Sequence, residues 1–361
     1  MTRTGANEYR PEAVSPPGDT LVETLGVRGM TQANLAARTG RTPKLINEII
    51  KGKAPITADT ALQLERVLGV PAEFWNNRES QYREAVSRQD ERRRFEEGQE
   101  WLSHFPIKEM VQLRWIRGCK DKVEELRELL NFFAVASPAS WKRYWERLQV
   151  SFRKCDAFDT DVFALRAWLR KGEIVGQSAD CAPFDSSKLR KTLVEILGLT
   201  TAEPRVFQPR LAELFASCGV AIAFVPELPR IRASGATQWL KPSKALIQVN
   251  LRYRTDDHFW FTVFHEAGHV LLDSKKMLFL DNAKFEGEYE DAANRFAAEQ
   301  LLSRTALISL KESMRHLSRA AIVAFARKQG VAPGIVVGQL QHHGVLPYTH
   351  CNGLKRTLQW A

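Results

Sequence analysis

The sequence predicts a multidomain, mainly α-helical chain: an all-α N-terminal domain, a helical middle region and a C-terminal α+β domain with a small sheet. Three observations carry this. The chain has 361 residues, well beyond the usual single-domain size. Helical patterns run from Thr20 to about Thr200 with only Gly and Pro punctuation. β-type runs first appear at Val220–Val225 and return at Ala245–Val249, before long apolar helices from Phe259 and from about Tyr289.

Five segments follow from that pass. Residues 1–19 are polar, carry Pro11, Pro16 and Pro17, and read as a flexible tail without the apolar core of a signal peptide. Residues 20–76 alternate short helices with turns. Residues 77–104 are almost all polar and read as a charged connecting helix. Residues 105–200 form a folded helical region, with Trp115, Phe132, Trp141, Trp145 and Trp168 as core material. Residues 201–361 make the α+β domain, in which Ala233–Trp239 fits a third short strand.

Composition excludes several classes. Hydrophobic residues make up 44% and charged residues 26%, which rules out collagen-like, mucin-like and wholly disordered chains. No apolar run approaches the roughly 18 residues that cross a bilayer. Five scattered cysteines contain no CxxC pair. They predict a cytoplasmic protein with free thiols and argue against a disulfide framework or a cysteine zinc knuckle. The net charge of +10 is uneven, since residues 1–100 are neutral overall. Within them Arg38, Arg41, Lys44, Lys51 and Lys53 face Glu48 alone, a local basic cluster suited to a polyanion.

That cluster sits on a recognisable local grammar. Thr31 can cap a helix whose inner face holds Leu35 and Ala36. Gly40 permits a tight turn. Thr42 caps a second helix with Pro43 at its first position, where the missing N–H costs nothing. Leu45, Ile46, Ile49 and Ile50 give that helix an apolar side and Gly52 ends it; Thr57 opens another with Ala61, Leu64 and Leu68 inward. This is helix-turn-helix spacing. Asn47–Lys53, Ile56–Gly69 and Ala72–Trp75 resemble the Cro/repressor-type family, most closely its HigA-like antitoxin branch. The resemblance implies binding of double-stranded operator DNA. Arg41, Thr42, Lys44 and Leu45 would then face base edges, and Gln32, Lys51 and Lys53 would touch phosphates. One half-site offers few phosphate contacts, so a homodimer is expected.

The strongest chemical signal is Phe264-His-Glu-Ala-Gly-His-Val270. His265 and His269, four apart on a helix, project from one face and can bind one Zn²⁺. Glu266, beside the first, can take a proton from an activated water. A catalytic zinc needs a third protein ligand and an open fourth position. Along Glu290–Leu301, positions 290, 293, 294, 297 and 301 share one face, small and apolar apart from Glu290 and Asn294. Asp291 points about 100° away. Glu290 is therefore the expected third ligand, with Asn294 a supporting or buried polar partner one turn on.

Leu251–His269, Glu290, Ala293–Ala298, Arg232–Ala236 and Ala332–Gly338 resemble the ImmA/IrrE family of metallopeptidases. The resemblance implies a zincin-like α+β fold and a zinc endopeptidase that cleaves a repressor or antitoxin in a toxin–antitoxin, phage or stress module. Two positions depart from the pattern. Ala292 stands where a second acid is common, and Leu-Leu-Ser-Arg304 where Met-Pro is common. An oxyanion donor is needed, for which Tyr253, His258 and His342 are candidates. The 233–239 segment is expected to pair as an edge strand with an extended substrate. The expected whole is a cytoplasmic DNA-binding regulator carrying a zinc endopeptidase. The other reading is a HigA-like autorepressor whose metallopeptidase-like domain grips a protein partner without cutting it.

Overall fold

A computed structural model describes residues 15–152, 161–272, 279–281, 288–313 and 318–360. The chain divides at Gly98 into two compact units.

The N-terminal unit holds α1 (Pro17–Val27), α2 (Gln32–Thr39), α3 (Pro43–Ile50), α4 (Ala58–Leu68) and α5 (Ala72–Glu97). Its caps are those the sequence implies. Thr31, Thr42 and Thr57 each accept a hydrogen bond at 3.2 Å from the backbone N–H three residues on. These bonds satisfy donors that a helix start leaves orphaned. Gly40, in the left-handed region at φ 66°, turns α2 into α3. Leu21, Leu25, Leu35, Ile46, Ile49, Leu64, Leu68 and Trp75 form the buried core.

Two expectations change here. Of the tail expected over 1–19, residues 1–14 lie outside the described residues, while Pro17–Asp19 open α1. Leu21 and Leu25, one turn apart, anchor that helix in the core. It crosses the end of α3 so closely that a Cβ on Gly18 would lie 2.1 Å from the Ile50 carbonyl oxygen. The connecting helix starts earlier than residue 77, because Ala72 and Trp75 in its first turn are core residues. It stops at Glu97, and a 3₁₀ turn covers Gln99–His104.

The second unit continues with α6 (Ile107–Gln112), α7 (Lys122–Phe133), α8 (Pro138–Phe152), α9 (Val162–Ser178), α10 (Ser186–Gly198) and α11 (Pro204–Ser217). Then come β1 (Val220–Phe224), β2 (Gly235–Lys241), β3 (Lys244–Val249), α12 (Asp256–Leu272), β4 (Phe279–Asp281), α13 (Glu288–Leu301), α14 (Arg304–Ser313), α15 (Arg319–Gln329) and α16 (Pro333–His342). The four strands lie in the order β1-β3-β2-β4, with β1 parallel to β3 and β2 antiparallel to both its neighbours.

Every residue of β3 is buried, because helices cover both its faces. Ala245, Ile247 and Val249 share an apolar cluster with Phe259, Trp260, Val263 and Phe264 of α12. Leu246 and Gln248 point the other way, against Gly176 and Gly172 of α9. Trp168 Nε1 donates to the Val225 carbonyl at 3.1 Å, and Gln248 Nε2 donates to the Trp168 carbonyl at 2.7 Å. The helical middle expected as a region of its own over 105–200 therefore shares a unit with the sheet.

The chain's last residues fasten the start of α12. Arg356 Nε donates to Asp256 Oδ2 at 3.1 Å, and its guanidinium also reaches the carbonyls of Thr200, Thr201 and Ala202. Lys355 Nζ lies 2.6 Å from Asp257 Oδ2 and donates to Gln341 Oε1 at 2.8 Å. Gly334 and Gly338 let α16 lie on these carboxylates; a Cβ on Gly334 would come within 2.2 Å of Asp256 Oδ1.

Helices α15 and α16 repeat the turn grammar of α2 and α3. Gly330 is left-handed at φ 71°, Pro333 opens the next helix, and the pair bends by 109°. Here the second helix is core, with Ile335, Val336, Val337 and Leu340 buried, so no groove can reach its inner face. Among the described residues no single helix is long and apolar enough to cross a membrane.

The Asp256 pair generates a prediction. Burial raises the Asp256 carboxyl above its ordinary range, and the bonds and charge of Arg356 hold it down. Arg356→Ala removes that restraint and leaves the buried carboxylate with backbone donors but no cation, at a cost of about 3 kcal/mol. A carboxyl raised in the folded state stabilises below its unfolded pKa and loses that contribution as pH rises through the folded value. The deficit in urea unfolding should therefore be larger at about pH 8 than at about pH 5. Equal deficits at both would contradict the burial argument.

Candidate metal centre

Helix α12 supplies three of the site's side chains. His265 and His269 stand one turn apart with their Nε2 atoms 3.0 Å from each other. Glu290, in the first turn of α13, brings Oε2 to 3.2 Å from His265 Nε2 and Oε1 to 3.4 Å from His269 Nε2. Both imidazoles are buried, and 12% of the Glu290 side chain is exposed. Among the described residues these three form the one His/Cys/Asp/Glu group whose donor atoms could jointly hold a metal ion.

The convergence depends on how closely α12 and α13 approach. A Cβ on Gly268 would lie 3.1 Å from Phe296 Cδ1 and 3.3 Å from Ala293 Cα. Ala293, Ala297 and Leu301 are buried on the facing stripe of α13. Small residues on both helices thus set a short interaxial distance. Burial alone would raise the Glu290 carboxyl, but hydrogen bonds from His265 and His269, and their charge, outweigh it and hold it at about 2.

Glu266 is fully buried and turned toward β2. Thr237 Oγ1 donates to Glu266 Oε2 at 2.5 Å and lies 3.1 Å from the Glu266 carbonyl oxygen. Gly235, two residues back on β2, leaves the carboxylate its space; a Cβ there would meet Glu266 Oε1 at 2.4 Å. Gly235 lies in the Arg232–Ala236 segment that carries part of the family resemblance, but no feature of the sequence pointed to Thr237 beyond its place in a short strand.

A cleft of about 730 Å³ opens on His265 and Glu290. Tyr253, His258 and His342, the candidate oxyanion donors, all line it. Tyr253 and His258 stack with ring centroids 4.4 Å apart. Asn294 also lines the cleft and is exposed, so the burial considered for it does not hold. Residues 293 and 297 take the buried stripe, and 294 is rotated about 100° past 293 toward solvent. The edge expected to receive an extended substrate is also different. Gly235, Ala236 and Thr237 already pair with Asp281, Leu280 and Phe279 of β4, which makes β2 an interior strand there.

The candidate DNA contacts divide by environment. Gln32, Lys44, Lys51 and Lys53 are exposed. Thr42 spends its hydroxyl on the α3 cap. Leu45 is half-buried against the core. Arg41 is held by Asp59 and by Gln63 Oε1 at 2.7 Å on α4, so it must exchange partners to reach a base.

Known proteins match the two ends of the chain separately. Residues 28–75 match the helix-turn-helix family model, and residues 233–338 match the IrrE N-terminal-like domain of the peptidase M78 family. Virulence-associated protein I of Dichelobacter nodosus is 39% identical over 75 residues, covering 20% of this chain and 69% of that protein. A HigA-family addiction module antidote protein from Coxiella burnetii is 30% identical, over 23% of this chain and 92% of its own, with a TM-score of 0.22. Pseudomonas aeruginosa antitoxin HigA, solved with the higBA promoter, is 28% identical over 24% of this chain and 94% of its own, with a TM-score of 0.22.

The short α12–α13 distance can be tested. Gly268→Val places a branched side chain against Phe296 and Ala293 and pushes α13 outward. Metal affinity, measured by competition with a chelating dye, should fall by about tenfold or more. An unchanged affinity with an unchanged helical signal would contradict the packing argument.

Proposed function

We propose that this chain, which belongs to the helix-turn-helix family and carries an IrrE N-terminal-like domain, is a DNA-binding transcriptional regulator with a zinc-dependent endopeptidase. Its substrate is a repressor or antitoxin protein, met in the cytoplasm. Residues 20–76 bind operator DNA and residues 201–361 carry the peptidase chemistry. One observation carries the reading: three donor atoms from two helices converge, two of the residues line an open cleft, and the buried Glu266 is next in the chain to His265.

The donor set fits zinc. Two imidazole nitrogens and one carboxylate oxygen are a catalytic zinc set, with a fourth position left for water or substrate. Ligands about 2.0–2.1 Å from a tetrahedral ion stand about 3.3 Å from one another. The separations of 3.0, 3.2 and 3.4 Å bracket that value. Zinc held there supplies Lewis acidity, polarising the scissile carbonyl and easing deprotonation of the attacking water.

The chain's own groups do the rest. His265, His269 and Glu290 hold the ion. Glu266 accepts the attacking water's proton at its carboxylate and passes it to the leaving amine. Tyr253, His258 or His342, at the cleft wall, donates to the carbonyl oxygen as negative charge develops on it. The apolar burial of α12 strengthens each of these electrostatic contacts.

On the DNA side, the exposed Gln32, Lys51 and Lys53 would touch phosphates, exposed Lys44 would face a base edge, and Arg41 would reach a base once it leaves Asp59. With so few cations per half-site, binding requires a homodimer and weakens steeply with salt.

The test measures metal and cleavage together. Wild type should carry about one zinc per chain and Glu290→Ala little or none. Glu266→Gln should keep its zinc and lose cleavage of labelled casein and of candidate repressors. No zinc in the wild type, even after reconstitution, would overturn the peptidase and leave a DNA-binding protein that grips a partner without cutting it. Cleavage by Glu266→Gln at the wild-type rate would overturn the role of Glu266.

A further inference from the structure

We propose that Thr237 is the positioning residue for Glu266, and that β2 forms a two-residue seat for this carboxylate. The proposal rests on the reading of Glu266 as the base of a zinc peptidase. Its observations are independent of the three metal ligands.

Three features define the seat. Thr237 is buried, and its Oγ1 lies 2.5 Å from Glu266 Oε2. Gly235, two residues back, projects from the same face of the strand. A Cβ there would come within 2.4 Å of Oε1 and 2.8 Å of Cγ, so any larger residue would displace the glutamate from this position. And β2 cannot swing away, because it pairs with β3 on one side and with β4 across Gly235–Thr237 on the other.

The physical consequence is preorganisation. A glutamate side chain has three rotatable torsions, and an unrestrained carboxylate samples several rotamers. A donor at one oxygen and a backbone surface beneath the other fix both the torsions and the plane of the carboxylate. A base must lie within hydrogen-bond reach of the proton it takes, and small misplacements are costly in rate. The Thr237 hydroxyl also stabilises charge on a buried carboxylate that would otherwise be poorly solvated. Thr237 touches neither metal nor substrate in this account. It acts through Glu266.

A structural tie between α12 and β2 would use the same hydrogen bond, so the test reads something that a tie alone leaves unchanged. Acetohydroxamate is the probe. It chelates a tetrahedral zinc through two oxygens and donates a hydrogen bond to a carboxylate placed beside the ion. Its affinity is measured on the full-length, zinc-loaded chain with zinc content checked in each variant.

Glu266→Ala should weaken acetohydroxamate binding. Thr237→Val, which keeps the branched shape and removes the hydroxyl, should weaken it by about tenfold, the scale of one hydrogen bond to a charged group. Thr237→Ser should restore wild-type affinity. Thr237→Val should add nothing in the Glu266→Ala background. If valine is not tolerated, Thr237→Ala carries the same expectation. Wild-type affinity in Thr237→Val or Thr237→Ala, with Glu266→Ala weakened, would overturn the seat while leaving the base in place. Wild-type affinity in Glu266→Ala would overturn the base, and the seat with it.

Discussion

The closeness of α12 and α13 is the constraint on which the second unit turns. Two histidines on one helix offer only two donors, and the third must come from a neighbour within a few ångströms. Gly268 on one helix and Ala293 and Ala297 on the other let the backbones approach until Glu290 stands between both imidazoles. A larger residue at any of these positions would separate a carboxylate from its two partners in a buried place. Unpaired polar groups cost most where water is excluded.

Helix α12 is held on every side that matters to its chemistry. Its Asp256 and Asp257 start is tied by Arg356 and Lys355, residues a hundred positions later in the chain. Gly334 and Gly338 let α16 close over those pairs. The sheet side is fixed by Thr237 and Gly235, and the opposite side by α13. A rigid helix carrying three functional side chains is what preorganised chemistry requires. The α15–α16 turn shows that helix-turn-helix geometry also serves as packing: its second helix is spent on covering α12.

Much of this was legible in the sequence where the signal is local. Thr31, Gly40, Thr42 and Pro43 encode a cap, a turn and a helix start within a dozen residues, and the structure has all of them. The His-Glu-x-x-His spacing and the stripe Glu290, Ala293, Ala297 fix which side chains share a face, so the cluster followed from helical periodicity. What was not legible depends on residues far apart in the chain. The Arg41–Asp59 pair spans 18 positions and the Arg356–Asp256 pair spans 100. Gly172 and Gly176 reveal α9 as a sheet-packing helix only once Gln248 and Leu246 are seen beneath them. Strand β4 is three residues long, below what alternation can signal, so β2 read as an edge. The burial considered for Asn294 was not legible for a different reason: a residue at the margin of a helical stripe is buried or exposed according to how far the facing helix extends.

The central claim is that His265, His269 and Glu290 jointly bind one zinc ion. Zinc-edge X-ray absorption on the purified, zinc-loaded chain tests it most directly. Two imidazole nitrogens and light oxygen scatterers at about 2.0–2.1 Å, with no sulfur, are expected. A sulfur shell at about 2.3 Å, or a first shell without imidazole, would place the metal elsewhere and contradict the claim.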